Sequence, residues 1–101
     1  VVLGIGDDGH FASLFPHGMY WEHNVQARTV ISQAPEHMDV TERLSLSPHV
    51  ILQSSYIVVL LKGKNKQSVV EELARGEQSI TDFPARILLQ HPRCSIWWSK
   101  E

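Results

Sequence analysis

The sequence has one cysteine, no apolar run long enough to cross a membrane and no surplus of positive charge. Cys94 has no partner for an internal disulfide, which fits a reducing compartment and a cytoplasmic location. A spanning helix needs roughly 20 apolar residues, and no stretch approaches that; no charged-then-apolar leader opens the chain either. A membrane partner is therefore not expected. Nine Lys and Arg stand against eleven Asp and Glu, a net charge of −2, with one small basic group at Lys62, Lys64 and Lys66. That balance carries no electrostatic footprint for nucleic acid. Repeats and low-complexity segments are missing as well. At 43% hydrophobic over 101 residues, the composition is that of one small folded domain with a modest core.

The pattern along the chain alternates strands with short helices. Val1 to Leu3 reads as a buried strand running into a glycine loop. The chain opens on this unit without a methionine, so an upstream part of the same domain is expected. A short helix is expected over His10 to Phe15, closed by Pro16 and the His17-Gly18 pair. The β-branched centre of Arg28 to Gln33 predicts a strand, and Ala34 to Glu42 a polar loop. Arg43 to Ser47 alternates strictly, as a half-buried strand does. Ser47-Pro48 is a helix start, because Ser caps free N–H groups and Pro fits the first helical position. The helix should reach Ser54. Tyr56 to Leu61 is continuously apolar, which suits a strand covered on both faces of a parallel sheet. Asn65 can cap a helix to Arg75 that presents Val69, Val70 and Leu73 on one face and stops at Gly76. Phe83-Pro84 suggests a turn, Ile87 to Leu89 a short strand and Ser95 to Trp98 a last one. The fold class is α/β with one undivided block over residues 1–101.

Chemistry concentrates in Gly4-Ile5-Gly6-Asp7-Asp8-Gly9-His10-Phe11-Ala12-Ser13-Leu14-Phe15-Pro16. Three glycines in six residues allow backbone angles that side chains forbid, so the loop can turn sharply and bring N–H groups toward a ligand. Ligands of open α/β sheets sit beyond the carboxyl ends of strands, where this loop would lie. It presents Asp7, Asp8 and His10 together, and a carboxylate can orient an imidazole whose ordinary pKa of about 6.5 suits proton transfer. Residue types alone leave two readings open, since Gly, Asp and His also make plain turns. The Gly-x-Gly pair lacks the third glycine of a dinucleotide fingerprint. Asp8 and His10 could also start a metal site, but there is no His-x-x-x-His pair. His17, His23, His37, His49 and His91 are scattered among polar loops, so no metal is expected.

The stretch closely resembles the Gly-x-Gly-Glu-Asp-Gly-His-x-Ala-Ser-Leu-Phe-Pro signature of 6-phosphogluconolactonases, with Asp7 a conservative departure from the usual Glu. Arg43-Leu44-Ser45-Leu46-Ser47-Pro48 is similar to the family's Arg-hydrophobic-Thr-Leu-Thr strand and following Pro. Tyr56 to Lys66 resembles its apolar strand, glycine and lysine, with Gly63 and Lys66 in the matching places. Pro84-Ala85-Arg86 and Ile96-Trp97-Trp98 resemble its closing segment. The similarity covers nearly the whole chain, but only about the second half of a full-length member.

The resemblance implies part of a Rossmann-like three-layer α/β/α sandwich with a mostly parallel sheet. It implies hydrolysis of 6-phospho-D-glucono-1,5-lactone to 6-phosphogluconate in the pentose phosphate pathway, without a cofactor. His10 would be the general base, Asp8 its support, Gly6 and Gly9 part of the substrate-binding loop, and Arg43 and Lys66 the holders of the phosphate. Arg and Lys are the natural partners of a phosphate dianion. Lys62 and Lys64 read as solvated surface charges. The related glucosamine-6-phosphate deaminases carry a Glu just before the Pro, where this sequence has Phe15, and Phe15 cannot transfer a proton. A deaminase, or a non-catalytic sugar-phosphate binding module on the same fold, is the alternative. The resemblance places part of the site upstream, so residues 1–101 alone should be inactive and prone to self-association.

Overall fold

In the computed structural model, residues 1–21 and 27–101 are described, so His23 lies outside the described residues. Three parallel strands form the centre: β1 (Val2–Leu3), β4 (Ile57–Lys62) and β5 (Cys94–Ser99), in the order β1-β4-β5. Val2 pairs with Val58, and Ile57 through Lys62 pair with Cys94 through Ser99. Beside this sheet, β2 (Thr29–Gln33) and β3 (Glu42–Leu46) make an antiparallel ribbon in which Ile31 faces Leu44 and Ser32 faces Arg43. The sequence reading of an α/β fold with a mostly parallel sheet holds.

Two helices and a 3₁₀ segment cover one face of the sheet. Helix α1 (Pro48–Leu52) starts where expected, with the Ser47 hydroxyl accepting the Val50 N–H at 3.2 Å, and it ends before Ser54. Helix α2 (Gln67–Arg75) buries Val69 and Leu73, one turn apart on its inner face. Asn65 does not cap α2; it sits inside a 3₁₀ turn, Lys64–Lys66, that leads into the helix. The Arg86 guanidinium closes the other end, donating to the Glu72 and Gly76 carbonyls at 3.1 and 2.7 Å. Ile87 to Leu89 is not a strand but the middle of a 3₁₀ segment, Pro84–Gln90. Pro84, Ala85 and Leu88 are its buried residues, and that spacing suits three residues per turn. These elements pack on Ile57, Val59 and Leu61 from β4, together with Ile5, Phe11, Leu14, Ile51 and Phe83.

The opposite sheet face is bare among the described residues. Val2, Leu60 and Trp97 are exposed there, Trp97 at 65%, so β4 is covered on one face and not on both. The β3 alternation is present with its faces reversed. Leu44 is 72% exposed and Leu46 49%, while Ser45 is buried. The Ser45 hydroxyl accepts the Ser13 N–H at 3.2 Å and donates to the Leu46 carbonyl at 2.9 Å, which makes the inward polar position affordable.

Candidate active site

The loops that leave β1 and β4 emerge from the same, carboxyl edge of the parallel sheet. One carries Gly6 to His10 and the other Gly63 to Lys66, which is why two segments some 60 residues apart meet. The first loop is closed by the Gly6 N–H donating to the His10 carbonyl at 2.8 Å and the Gly9 N–H to the Gly6 carbonyl at 2.9 Å. A Cβ on Gly6 would collide with the His10 ring, so glycine lets the imidazole lie against the backbone. Gly9 has φ +88° and faces the Phe83 ring where a Cβ would stand. Its carbonyl accepts the Ala85 N–H at 2.8 Å, fastening the loop to the 3₁₀ segment. The Gly6 and Gly9 N–H groups are both used within the loop, and these glycines shape it.

Asp8 and His10 form the centre. One Asp8 oxygen accepts the His10 backbone N–H at 3.0 Å and pairs with His10 Nδ1 at 2.5 Å. A carboxylate only accepts, so Nδ1 carries the proton and Nε2 of the neutral ring keeps its lone pair. The His10 side chain is 23% exposed, open enough to meet a small molecule. No helix spans His10 to Phe15. Phe11 and Leu14 instead bridge across a tight turn in which Ala12 has φ +51°, and His17 beyond it has φ +63°.

Lys66 reaches this loop directly, and Arg43 reaches it through the Phe15 ring. Lys66 Nζ donates to Asp7 Oδ1 at 3.0 Å. The Arg43 guanidinium lies 5.8 Å from the centre of the Phe15 ring, and Phe15 stands 4.7 Å from the His10 ring, centroid to centroid. Arg43 Nε donates to the Val40 carbonyl at 2.8 Å. A cavity of about 320 Å³ is lined by Asp7, Asp8, His10, His37 and Met38. His37 is the residue missed from the sequence: it lies in the polar loop after β2, and neither spacing nor a motif ties it to His10. Another space, of about 300 Å³, lies along Leu60, Lys62, Trp97 and Trp98 on the open sheet edge. No three His, Cys, Asp or Glu side chains stand together as a metal site among the described residues.

Proteins of known function resemble this chain in sequence and in fold. A 6-phosphogluconolactonase from Borreliella burgdorferi is 32% identical over 96 residues, 95% of this chain and 40% of that protein. In structure, a Trypanosoma brucei 6-phosphogluconolactonase matches with a TM-score of 0.82 and 29% identity, over 99% of this chain and 39% of that one. A monomeric glucosamine-6-phosphate deaminase matches with a TM-score of 0.78 and 26% identity, over 96% and 43%. The chain thus spans about 40% of the length of the curated relatives it matches. The sequence profile described as glucosamine-6-phosphate isomerases/6-phosphogluconolactonase matches residues 1–98, and the chain belongs to that family.

Proposed function

We propose that the protein carrying this chain hydrolyses 6-phospho-D-glucono-1,5-lactone to 6-phosphogluconate, and that residues 1–101 are the C-terminal portion of its single catalytic domain. The observation that supports this most is the Asp8–His10 pair, oriented by a 2.5 Å contact with Nε2 left as the acceptor. The lactonases among the relatives point the same way. Nε2 takes a proton from water, and the hydroxide adds to the lactone carbonyl carbon. Asp8 stabilises the imidazolium that results. The tetrahedral oxyanion then collapses, the bond from the carbonyl carbon to the ring oxygen breaks, and His10 returns its proton to that oxygen. Arg43 and Lys66 hold the phosphate, so that binding far from the carbonyl positions it. Such a reaction on a phosphorylated metabolite belongs in the cytoplasm, in keeping with the lone Cys94.

Phe15 supports lactone hydrolysis over amino-sugar deamination. Opening the ring of an amino-sugar phosphate needs a proton relay to the ring oxygen, and an aromatic ring beside His10 supplies none. Replacing His10 with Ala in the full-length protein should lower the hydrolysis rate roughly 100- to 10,000-fold over the spontaneous background, the usual range for a lost acid–base group. The unaltered full-length protein should hydrolyse the lactone and release no ammonia from glucosamine 6-phosphate. Near-normal turnover in His10→Ala, or ammonia release without lactone hydrolysis, would overturn the reading.

A further inference from the structure

The cavity that holds His10 is lined from two segments, Asp7, Asp8 and His10 from the loop after β1, and His37 and Met38 from the loop after β2. The first segment is hostile to an anion. Asp8 meets a positive charge only when His10 is protonated, and in the neutral pair Nε2 presents a bare lone pair. Asp7 is matched by Lys66, whose ammonium lies on that carboxylate at 3.0 Å. Neither Lys66 nor Arg43 is among the described residues that line the cavity. A phosphate placed beside Asp7 and Asp8 therefore needs a donor from the second segment.

His37 is that donor, since the thioether of Met38 has no hydrogen to give. Its turn is shaped by backbone and not by its ring. The Met38 N–H donates to the Pro35 carbonyl at 3.0 Å and the Ala34 N–H to the Thr41 carbonyl at 2.7 Å, with Ala34 buried. The ion pairs of the described residues engage His10, His17 and Lys66 and leave the exposed His37 ring to a ligand. Arg43 reinforces this side. Its Nη2 donates to Met38 Sδ at 3.7 Å and its Nε to the Val40 carbonyl at 2.8 Å, which fastens the turn to β3 and sets a permanent cation beside it.

We propose that His37 is a specificity-determining residue for the phosphorylated substrate, its imidazole N–H donating to a phosphate oxygen while His10 addresses the carbonyl. This rests on the lactonase reading. The test is steady-state hydrolysis of 6-phospho-D-glucono-1,5-lactone and of D-glucono-1,5-lactone by the full-length protein. His37→Ala should raise KM for the phosphorylated lactone about tenfold to a hundredfold, the range for one hydrogen bond to a charged group. The change should fall mainly on KM, because the contact is made equally before and in the transition state. Preference for the phosphorylated over the unphosphorylated lactone should drop by the same factor. His37→Asn, which keeps an N–H donor, should recover part of the loss, and His37→Glu, which adds a carboxylate to those of Asp7 and Asp8, should be worse than Ala. An unchanged KM in His37→Ala, or equal losses on both lactones, would overturn the proposal and leave the lactonase reading standing. A wild type that accelerates hydrolysis of neither lactone would overturn that reading and this proposal with it.

Discussion

Lys66 and Arg43 are held near His10 by contacts of different strength. The Lys66–Asp7 pair is largely solvent-exposed on its acid side, and such pairs contribute about 0–1 kcal/mol. A dianionic phosphate can therefore draw the ammonium away at little cost. Arg43 is fixed more firmly, by the Val40 carbonyl and the Phe15 ring. Replacing either cation with Ala should reduce kcat/KM on the phosphorylated lactone by about tenfold to a hundredfold, the range for a charged hydrogen bond, and hardly affect the unphosphorylated lactone. Equal losses on both substrates would assign the cations a structural role. Tyr20 gives a pH prediction. Burial raises its phenol above the ordinary 10.0, the Phe15 hydrogen bond works against that rise, and the charge of Asp8 adds to it. The unfolded chain ionises first, so stability present below about pH 10 is lost as the pH climbs toward the folded-state value. Burial likewise raises the Cys94 thiol, which adds to the same alkaline loss. Tyr20→Phe should cost about 1–3 kcal/mol by leaving the Phe15 N–H unpaired, and chemical denaturation above pH 10 should show a shallower decline than in the wild type. Asp8, His10, Arg43 and Lys66 were singled out because they stand in runs that resemble a known signature, and the fold brings their segments together at one loop. His37 was not, because its place at the cavity is set by how the loop after β2 folds back.

The element best read from sequence is α1, because Ser47 and Pro48 act through local chemistry. Ser47 is fully buried, and its hydroxyl satisfies one of the helix's free N–H groups. Ser47→Ala should therefore destabilise the full-length protein by about 0.5–2 kcal/mol, and Ser47→Asp should restore part of the loss. A denaturation midpoint unchanged in Ser47→Ala would show that the cap is dispensable. β4 and β5 were equally plain, since continuous apolar runs have few other homes. The misreadings have a common cause in tertiary contacts. Leu44 and Leu46 look inward by pattern, yet Ser45 takes the inner face because Ser13 needs an acceptor there. His10 to Phe15 looks helical, yet Ala12 adopts a left-handed angle that no glycine announces. Ile87 to Leu89 is β-like in composition, yet follows a Pro that starts a 3₁₀ segment.

At the scale of the whole molecule, two apolar surfaces stand uncovered among the described residues. One is the sheet face with Val2, Leu60 and Trp97; the other is the ribbon face with Leu44, Leu46 and Ile31, the last 82% exposed. Among the described residues β5 has a neighbour on one side only, which leaves its outer edge open to pairing. Residues 1–101 made alone should therefore associate or unfold at low micromolar concentration, and sedimentation showing a stable monomer would contradict this. The bond from the Ala85 N–H to the Gly9 carbonyl also has a bearing on synthesis. Ala85 follows Gly9 by 76 residues, so at roughly 5–20 residues per second the ribosome makes the histidine loop several seconds before the segment that fastens it. Lys66 and Phe83 also arrive late. Until then the loop has neither its anchor nor the ring that packs on Gly9, and the nascent chain holds its histidine without a site around it. The loop is thus fastened only once Ala85 has been made, and a chain cut short before Ala85 would carry the signature residues without the anchor that shapes them.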